Sequence, residues 1–192
     1  MRFCDSDIIG VVETHASDVI NDADISLDGF NMYRLDRKGK AGGGLALYIN
    51  SKWKSCLCHE LMNSDFSESL WCTISTGYGQ LLVGLCYRSP SSDANNNMNL
   101  LNLLELAAKY QHCTNVMIMG DFNYPSIDFC SHSVSSGLAS DAFQFFDKCQ
   151  EYVSFSMFTN LHDLEMDNYL RASITFSLMR TILSMICSIG HL

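Results

Sequence analysis

The sequence predicts a single layered sandwich of the α/β or α+β kind. Three observations carry this: short apolar strands punctuated by turn residues, one long stripe of helical period between two of them, and enough apolar residues for one core. The chain has 192 residues, 47% of them apolar and only 17% charged, with two prolines. That composition is unlike a disordered chain, which is poor in apolar residues and rich in charge.

The elements follow in order. Asp7-Ile8-Ile9-Gly10-Val11-Val12-Glu13 is a β-branched run too short for a typical helix. It reads as a strand buried on both faces and ending in a carboxylate. After a polar stretch from Asp18 to Asp28, Phe30 to Arg34 forms a second strand, and the glycine-rich 38–44 segment is a flexible turn. Strands at Leu45–Asn50, Trp53–Cys58, Ser69–Ser75 and Leu81–Tyr87, with Gly77-Tyr78-Gly79 as a turn, read as an antiparallel meander. Asn96 to Tyr110 changes to helical period, with Met98, Leu101, Leu103, Leu104, Ala107 and Ala108 on the stripe. Val116 to Met119 is a short strand that opens into Gly120-Asp121-Phe122-Asn123, and Ser140 caps a helix over Asp141–Tyr152. Beyond Val153 the pattern matches neither a clean strand nor a capped helix.

Composition also excludes some functions. The nine cysteines are scattered with no CxxC pair, which argues against zinc and, with the odd count and no signal peptide, for a reducing compartment. Phe176 to Leu192 is apolar but short for a membrane span and carries Arg180, so it reads as a buried helix or a tail, and no membrane partner is expected. The net charge of −9 argues against bulk electrostatic binding of nucleic acid. The charge is unevenly spread, however. Arg34, Arg37, Lys38, Lys40, Lys52 and Lys54 share the 34–54 stretch with Asp36 as its sole acid. That strip suits phosphate contact, and it equally suits a solvated hairpin edge guarded by lysines.

Three groups could carry chemistry. Glu13 is an acid at a strand end, where it could also be solvated or begin a helix. Asp121 and Asn123 stand two apart, and i and i+2 project to one side of an extended chain. Oxygen ligands of this kind suit a hard cation such as Mg²⁺, although Asp-x-Asn after a strand is more commonly a turn held by side-chain to backbone hydrogen bonds. Tyr87-Arg88-Ser89-Pro90 puts a phenol and a guanidinium at another strand end, or simply makes a rim pair before a terminating proline.

Taken in order, Asp-Ile-Ile-x-x-x-Glu-Thr, Gly-Gly-Gly-Leu-Ala-Leu-Tyr, Ser-Leu-Trp, Tyr-Arg-Ser-Pro and Ile-Met-Gly-Asp-Phe-Asn-Tyr-Pro resemble the endonuclease/exonuclease/phosphatase superfamily. More narrowly, they are similar to the endonuclease domains of jockey-like and chicken-repeat-like non-LTR (LINE) retrotransposons, where a reverse transcriptase follows. The resemblance implies a four-layer α/β sandwich of the deoxyribonuclease I-like type and Mg²⁺-dependent hydrolysis of DNA phosphodiesters, with Mn²⁺ as a substitute. It implies Glu13 as the metal ligand, Asp121 as the acid that orients water or stabilises charge, and Asn123 as the amide that holds the phosphate. Tyr87 corresponds to the phenol approaching the scissile bond. Arg88 would bind substrate, and Arg34, Arg37, Lys38 and Lys40 would contact nucleic acid. The same resemblance is compatible with a nuclear location without fixing one, beside the reducing, intracellular setting that the cysteines favour.

The superfamily's pattern includes an asparagine-bearing first strand before the strand of Glu13 and a Ser-Asp-His near its end. The chain begins after the former, and no Asp-His pair follows Val153; Asp163 and Asp167 are the residues closest to the family's later aspartate. The expectation is therefore a partial domain over residues 1–159 and a divergent segment over 160–192, with the first strand and the last strand or loop missing. Loss of a central strand should leave its neighbours with an unpaired edge. Hydrolysis by the chain alone is then expected to be weak or absent, since groups that act as a unit fail together. The alternative is a non-catalytic retroelement remnant that binds nucleic acid weakly.

Overall fold

A computed structural model of the chain describes residues 6–17, 19–37, 43–128, 131–151, 156–158 and 172–176. Two sheets stack face to face. The first contains β1 (Ile8–Val12), β2 (Phe30–Leu35), β3 (Leu45–Asn50) and β11 (Ala172–Phe176), in the order β11-β1-β3-β2. The second contains β4 (Lys54–Leu57), β5 (Ser69–Thr76), β6 (Gly79–Tyr87), β7 (Asn115–Asp121) and β10 (Ser156–Phe158), in the order β10-β7-β6-β5-β4. A two-stranded ribbon, β8 (Ile127–Asp128) with β9 (Ser133–Val134), stands apart.

Side-chain alternation explains the stacking. Leu45, Leu47 and Ile49 of β3 point inward with Ile8 and Val12, against Leu70, Cys72 and Ile74 of β5, Leu81, Val83 and Leu85 of β6, and Met117 and Met119 of β7. The opposite parity of the second sheet, Trp71, Leu82, Cys86 and Ile118, meets the helices α2 (His59–Met62), α3 (Ala94–Ala108) and α4 (Asp141–Glu151). Ile9, Ala46 and Tyr48 on the outer face of the first sheet are covered thinly, by Leu27 and the neighbourhood of the single turn α1 (Asp22–Ile25), where Ile25 O accepts from the Tyr48 hydroxyl at 2.7 Å. The order is helices, sheet, sheet, thin cover, which makes the layered sandwich expected from the strand and helix pattern a mixed α/β one.

Four expectations need correction. The strands from Leu45 onward do not form one meander: β4, β5 and β6 do, but β3 pairs antiparallel with β1 and β2 in the other sheet. β3 is buried on both faces through Ile49, so it carries no amphipathic signal of which sheet it joins. The stripe of α3 is rotated by about one residue. Asn97, Leu100, Leu103, Leu104 and Ala107 are buried, while Met98 is exposed. The open edge beside β1 is absent, because β11 pairs with it in parallel from Ile8 opposite Ala172 to Val12 opposite Phe176. Finally, β10 and β11 show that the sequence beyond Val153 does contribute strands. Among the described residues no helix is long and apolar enough to cross a membrane; most of Phe176–Leu192 lies outside them.

Candidate active site

The C-terminal ends of β1, β6 and β7 meet at one end of the sandwich. β6 and β7 run parallel with Tyr87 opposite Asp121, and the Arg88 N–H extends the ladder by donating to Asp121 O at 2.8 Å. Parity places Asp121 on the same side of β7 as the inward-facing Met117 and Met119. Glu13 follows β1 on the facing sheet, and the Tyr87 hydroxyl crosses the gap to donate to Glu13 Oε1 at 2.5 Å.

The backbone at Glu13 is held in an unusual shape. Glu13 and His15 adopt φ of 54° and 52°, a left-handed region that costs non-glycine residues energy unless the surroundings enforce it. The enforcing contacts come from the turn before β3: Thr14 N–H donates to Gly44 O at 3.2 Å and His15 N–H to Gly43 O at 2.9 Å. Gly44 is itself at φ 89°, and a Cβ there would lie 2.5 Å from Thr14 Oγ1, so only glycine lets the two segments close up.

Electrostatics at this end are acidic. Burial raises the Tyr87 phenol well above its ordinary range, and the Glu13 hydrogen bond and the charges of Glu13, Asp121 and Glu68 push the same way. Tyr87 therefore stays a protonated donor. Burial also raises the Asp121 carboxyl, assisted by the charge of Glu13 and opposed by the Asn123 backbone N–H.

The Asp121-Phe122-Asn123 segment is not extended, so the i, i+2 reasoning does not apply. Asn123 turns left-handed at φ 49°, its N–H donates to Asp121 Oδ1 at 3.0 Å, and its side-chain Nδ2 donates to Arg88 O at 2.7 Å. This is the side-chain to backbone turn that Asp and Asn favour. It leaves the second carboxylate oxygen of Asp121 and the amide oxygen of Asn123 outside those bonds.

Arg88, expected to bind substrate, is 6% exposed and faces inward. Its guanidinium donates to Asn97 Oδ1 at 2.7 Å, Phe122 O at 3.2 Å and Asn123 O at 3.1 Å, and its Cζ lies 4.0 Å from the Tyr124 ring centroid. Arg34, expected to contact nucleic acid, instead pairs with Asp36 and Asp22 and donates to Ile20 O and Ser17 O, fastening Ser17, Ile20 and Asp22 to β2. Arg37 reaches Glu68 at 3.3 Å, and both line a cleft of about 580 Å³. That cleft is lined by Arg37, Gly44, Glu68, Tyr87, Ser89 and Asn96 among others, and shares Tyr87 with the acidic end. Lys38 and Lys40, and also Asp163, Asp167 and His191, lie outside the described residues.

Glu13 and Asp121 are the residues that could offer oxygen ligands to a hard divalent cation. Glu13 and Asp121 supply carboxylate oxygens that repel one another, and among the described residues neither forms an ion pair with Lys, Arg or His. Among the described residues there is no group of three or more His, Cys, Asp or Glu that could hold a metal ion. Mg²⁺ commonly takes one or two protein carboxylates and completes its shell with water and substrate phosphate.

Sequence reasoning did not single out Asn97, Asp141, Thr14 or Glu68. One of them had a signal: Asn97 is spaced with Leu100, Leu104 and Ala107 as a polar residue on an apolar helix stripe, which implies a buried partner.

Two kinds of comparison with known proteins give matches. The model of the endonuclease/exonuclease/phosphatase family matches residues 1–162. Among solved structures, the chain resembles the endonuclease domain of TRAS1, a telomere-specific non-LTR retrotransposon, at 12% identity and a TM-score of 0.49, covering 66% of this chain and 53% of that one. The chain thus spans about half the length of that structure. No curated protein matches the chain.

Proposed function

Since the chain belongs to the endonuclease/exonuclease/phosphatase family, we propose that it is a divalent-cation-dependent hydrolase of DNA phosphodiesters, an endonuclease of the non-LTR retrotransposon kind. The observation that supports this best is the convergence of Glu13, Tyr87 and Asp121 from three strand ends, joined by the 2.5 Å bond between Tyr87 and Glu13. The solitary acids of the sequence become a cluster only in the fold.

In phosphoryl transfer the protein's work is mostly positioning and stabilisation of charge. Glu13, with Asp121 nearby, would hold Mg²⁺, which when bound supplies positive charge for the phosphate oxygens. Tyr87, kept protonated, would offer its O–H to a phosphate oxygen by exchanging its bond to Glu13. Asp121, with a carboxyl raised by burial, accepts a proton from water more readily than an exposed aspartate does. The amide oxygen of Asn123 lies outside the turn's hydrogen bonds and can orient that water; its Nδ2 reaches a phosphate only by exchanging its bond to Arg88 O.

The test is nicking of supercoiled plasmid by the full chain with Mg²⁺ or Mn²⁺, beside Glu13→Gln and Asp121→Ala. Weak cation-dependent nicking, lost in both variants, is expected, in keeping with the slight hydrolysis expected of the chain alone. Absence of nicking by the unaltered chain, or nicking that persists in Asp121→Ala, would overturn the proposal. Weak DNA binding without cleavage would select the non-catalytic reading instead.

A further inference from the structure

Resting on the nuclease reading for its kinetic consequence but not for its geometry, we infer that Asp141 and Asn97 are positioning residues that set the Asp121–Asn123 loop through Arg88. Asp141 is the first residue of α4, behind the capping Ser140, whose hydroxyl accepts the Phe143 N–H at 3.1 Å. Its carboxylate accepts from Asn97 Nδ2 at 2.6 Å. Asn97, 3% exposed, then accepts from Arg88 Nε at 2.7 Å through its Oδ1. An amide that gives with one end and takes with the other has its orientation fixed by its partners, and so fixes that of the guanidinium.

Arg88 passes this order to the loop from two sides. Its backbone holds Asp121 O and Asn123 Nδ2, and its guanidinium holds Phe122 O and Asn123 O. The left-handed Asn123 is thus held from both sides, by the backbone and by the guanidinium of one arginine. Helix α4 grips the loop a second way, since Phe145 lies 4.8 Å in ring centroids from both Phe122 and Tyr124, the residues that flank Asn123.

The discriminating variants are Asp141→Ala, which removes the end of the relay at an exposed position, and Asp141→Asn, which keeps an acceptor oxygen. Asn97→Leu cuts the relay at its centre. Backbone hydrogen exchange of the full chain is read at Asn123, whose N–H bonds Asp121, with the amides of β5 as an internal control. We expect at least tenfold faster exchange at Asn123 in Asp141→Ala and more in Asn97→Leu, with unchanged β5 amides and near-normal exchange in Asp141→Asn. In plasmid nicking, kcat falls about tenfold in Asp141→Ala with KM within twofold, and Asp141→Asn restores it. Unchanged Asn123 exchange in Asp141→Ala overturns the relay whatever the activity, as does a change that raises KM alone. Altered exchange in a chain that never nicks DNA leaves the relay standing and sinks the nuclease reading.

Discussion

The hydroxyl of Tyr87 and the carboxylate of Glu13 meet at 2.5 Å across the gap between the two sheets, from strands that belong to different halves of the sandwich. One hydrogen bond therefore ties the end of the first sheet to the end of the second where the acids gather.

Replacing Tyr87 by Phe removes that tie while keeping the ring in the core. Loss of one preorganised donor costs about 10²-fold in turnover where it contacts developing charge. Nicking by Tyr87→Phe should fall by that order with a melting curve close to that of the unaltered chain. Full activity in this variant would remove the phenol from the chemistry.

Asp121 gives a pH prediction with a definite sign. Its folded carboxyl is raised from the ordinary 3.8, chiefly by burial, so the folded chain holds that proton more tightly than the unfolded chain does. Stability from this group therefore falls as pH rises from about the unfolded value through the raised one. Asp121→Asn, measured with chelator present, should raise the thermal midpoint by a few degrees at pH 7 and leave it nearly unchanged at pH 3. A midpoint lowered at pH 7 would show that the carboxylate stabilises the fold instead.

Gly120 sits at φ 153° just before Asp121, and a Cβ there would fall 1.9 Å from Cys86 O, its neighbour across the β6 and β7 ladder. No rotamer relieves a clash with backbone. Gly120→Ala should cost roughly 3 kcal/mol, read from the urea midpoint, and a cost below about 1 kcal/mol would contradict the close approach of the two strands.

Arg34 and Arg37 separate by their partners. Arg34 is spent on Asp22, Asp36 and two carbonyls, whereas Arg37 is a third exposed beside the cleft. Each phosphate contact contributes about −0.9 to the slope of log K against log salt. Arg37→Ala should flatten the DNA-binding slope by about one, and Arg34→Ala should leave it unaltered while exposing the chain around Ile20 and Asp22 to protease. Equal slope changes would restore Arg34 to the nucleic-acid surface.

Much of this was legible in the sequence because it is local. The strands β2, β5, β6 and β7 follow from apolar runs bounded by glycine and polar turns, and Ser140 caps α4 as its position suggests. What was not legible is long-range. β3, buried on both faces, gives no hint of leaving the meander. Asn123 looks like an extended partner of Asp121, and only the structure shows the left-handed turn that redirects it. Arg88 reads as a strand-end cation at the rim, because nothing within its own neighbourhood names Asn97 and Phe122 O as its destination. The helices α1 and α2 are single turns, too short to leave a period.

The pairing of β1 with β11 bears on how the molecule is made. These are the first and last described strands, and the chain between them must be synthesised before Ile8 can find Ala172. Until then β1 can lean only on β3, leaving a row of backbone groups open to other chains. Contacts of such separation are slow to form, since the entropy of closing the loop is lost before the contact rewards it. We expect this edge to close last and to be where concentrated, newly refolding protein aggregates.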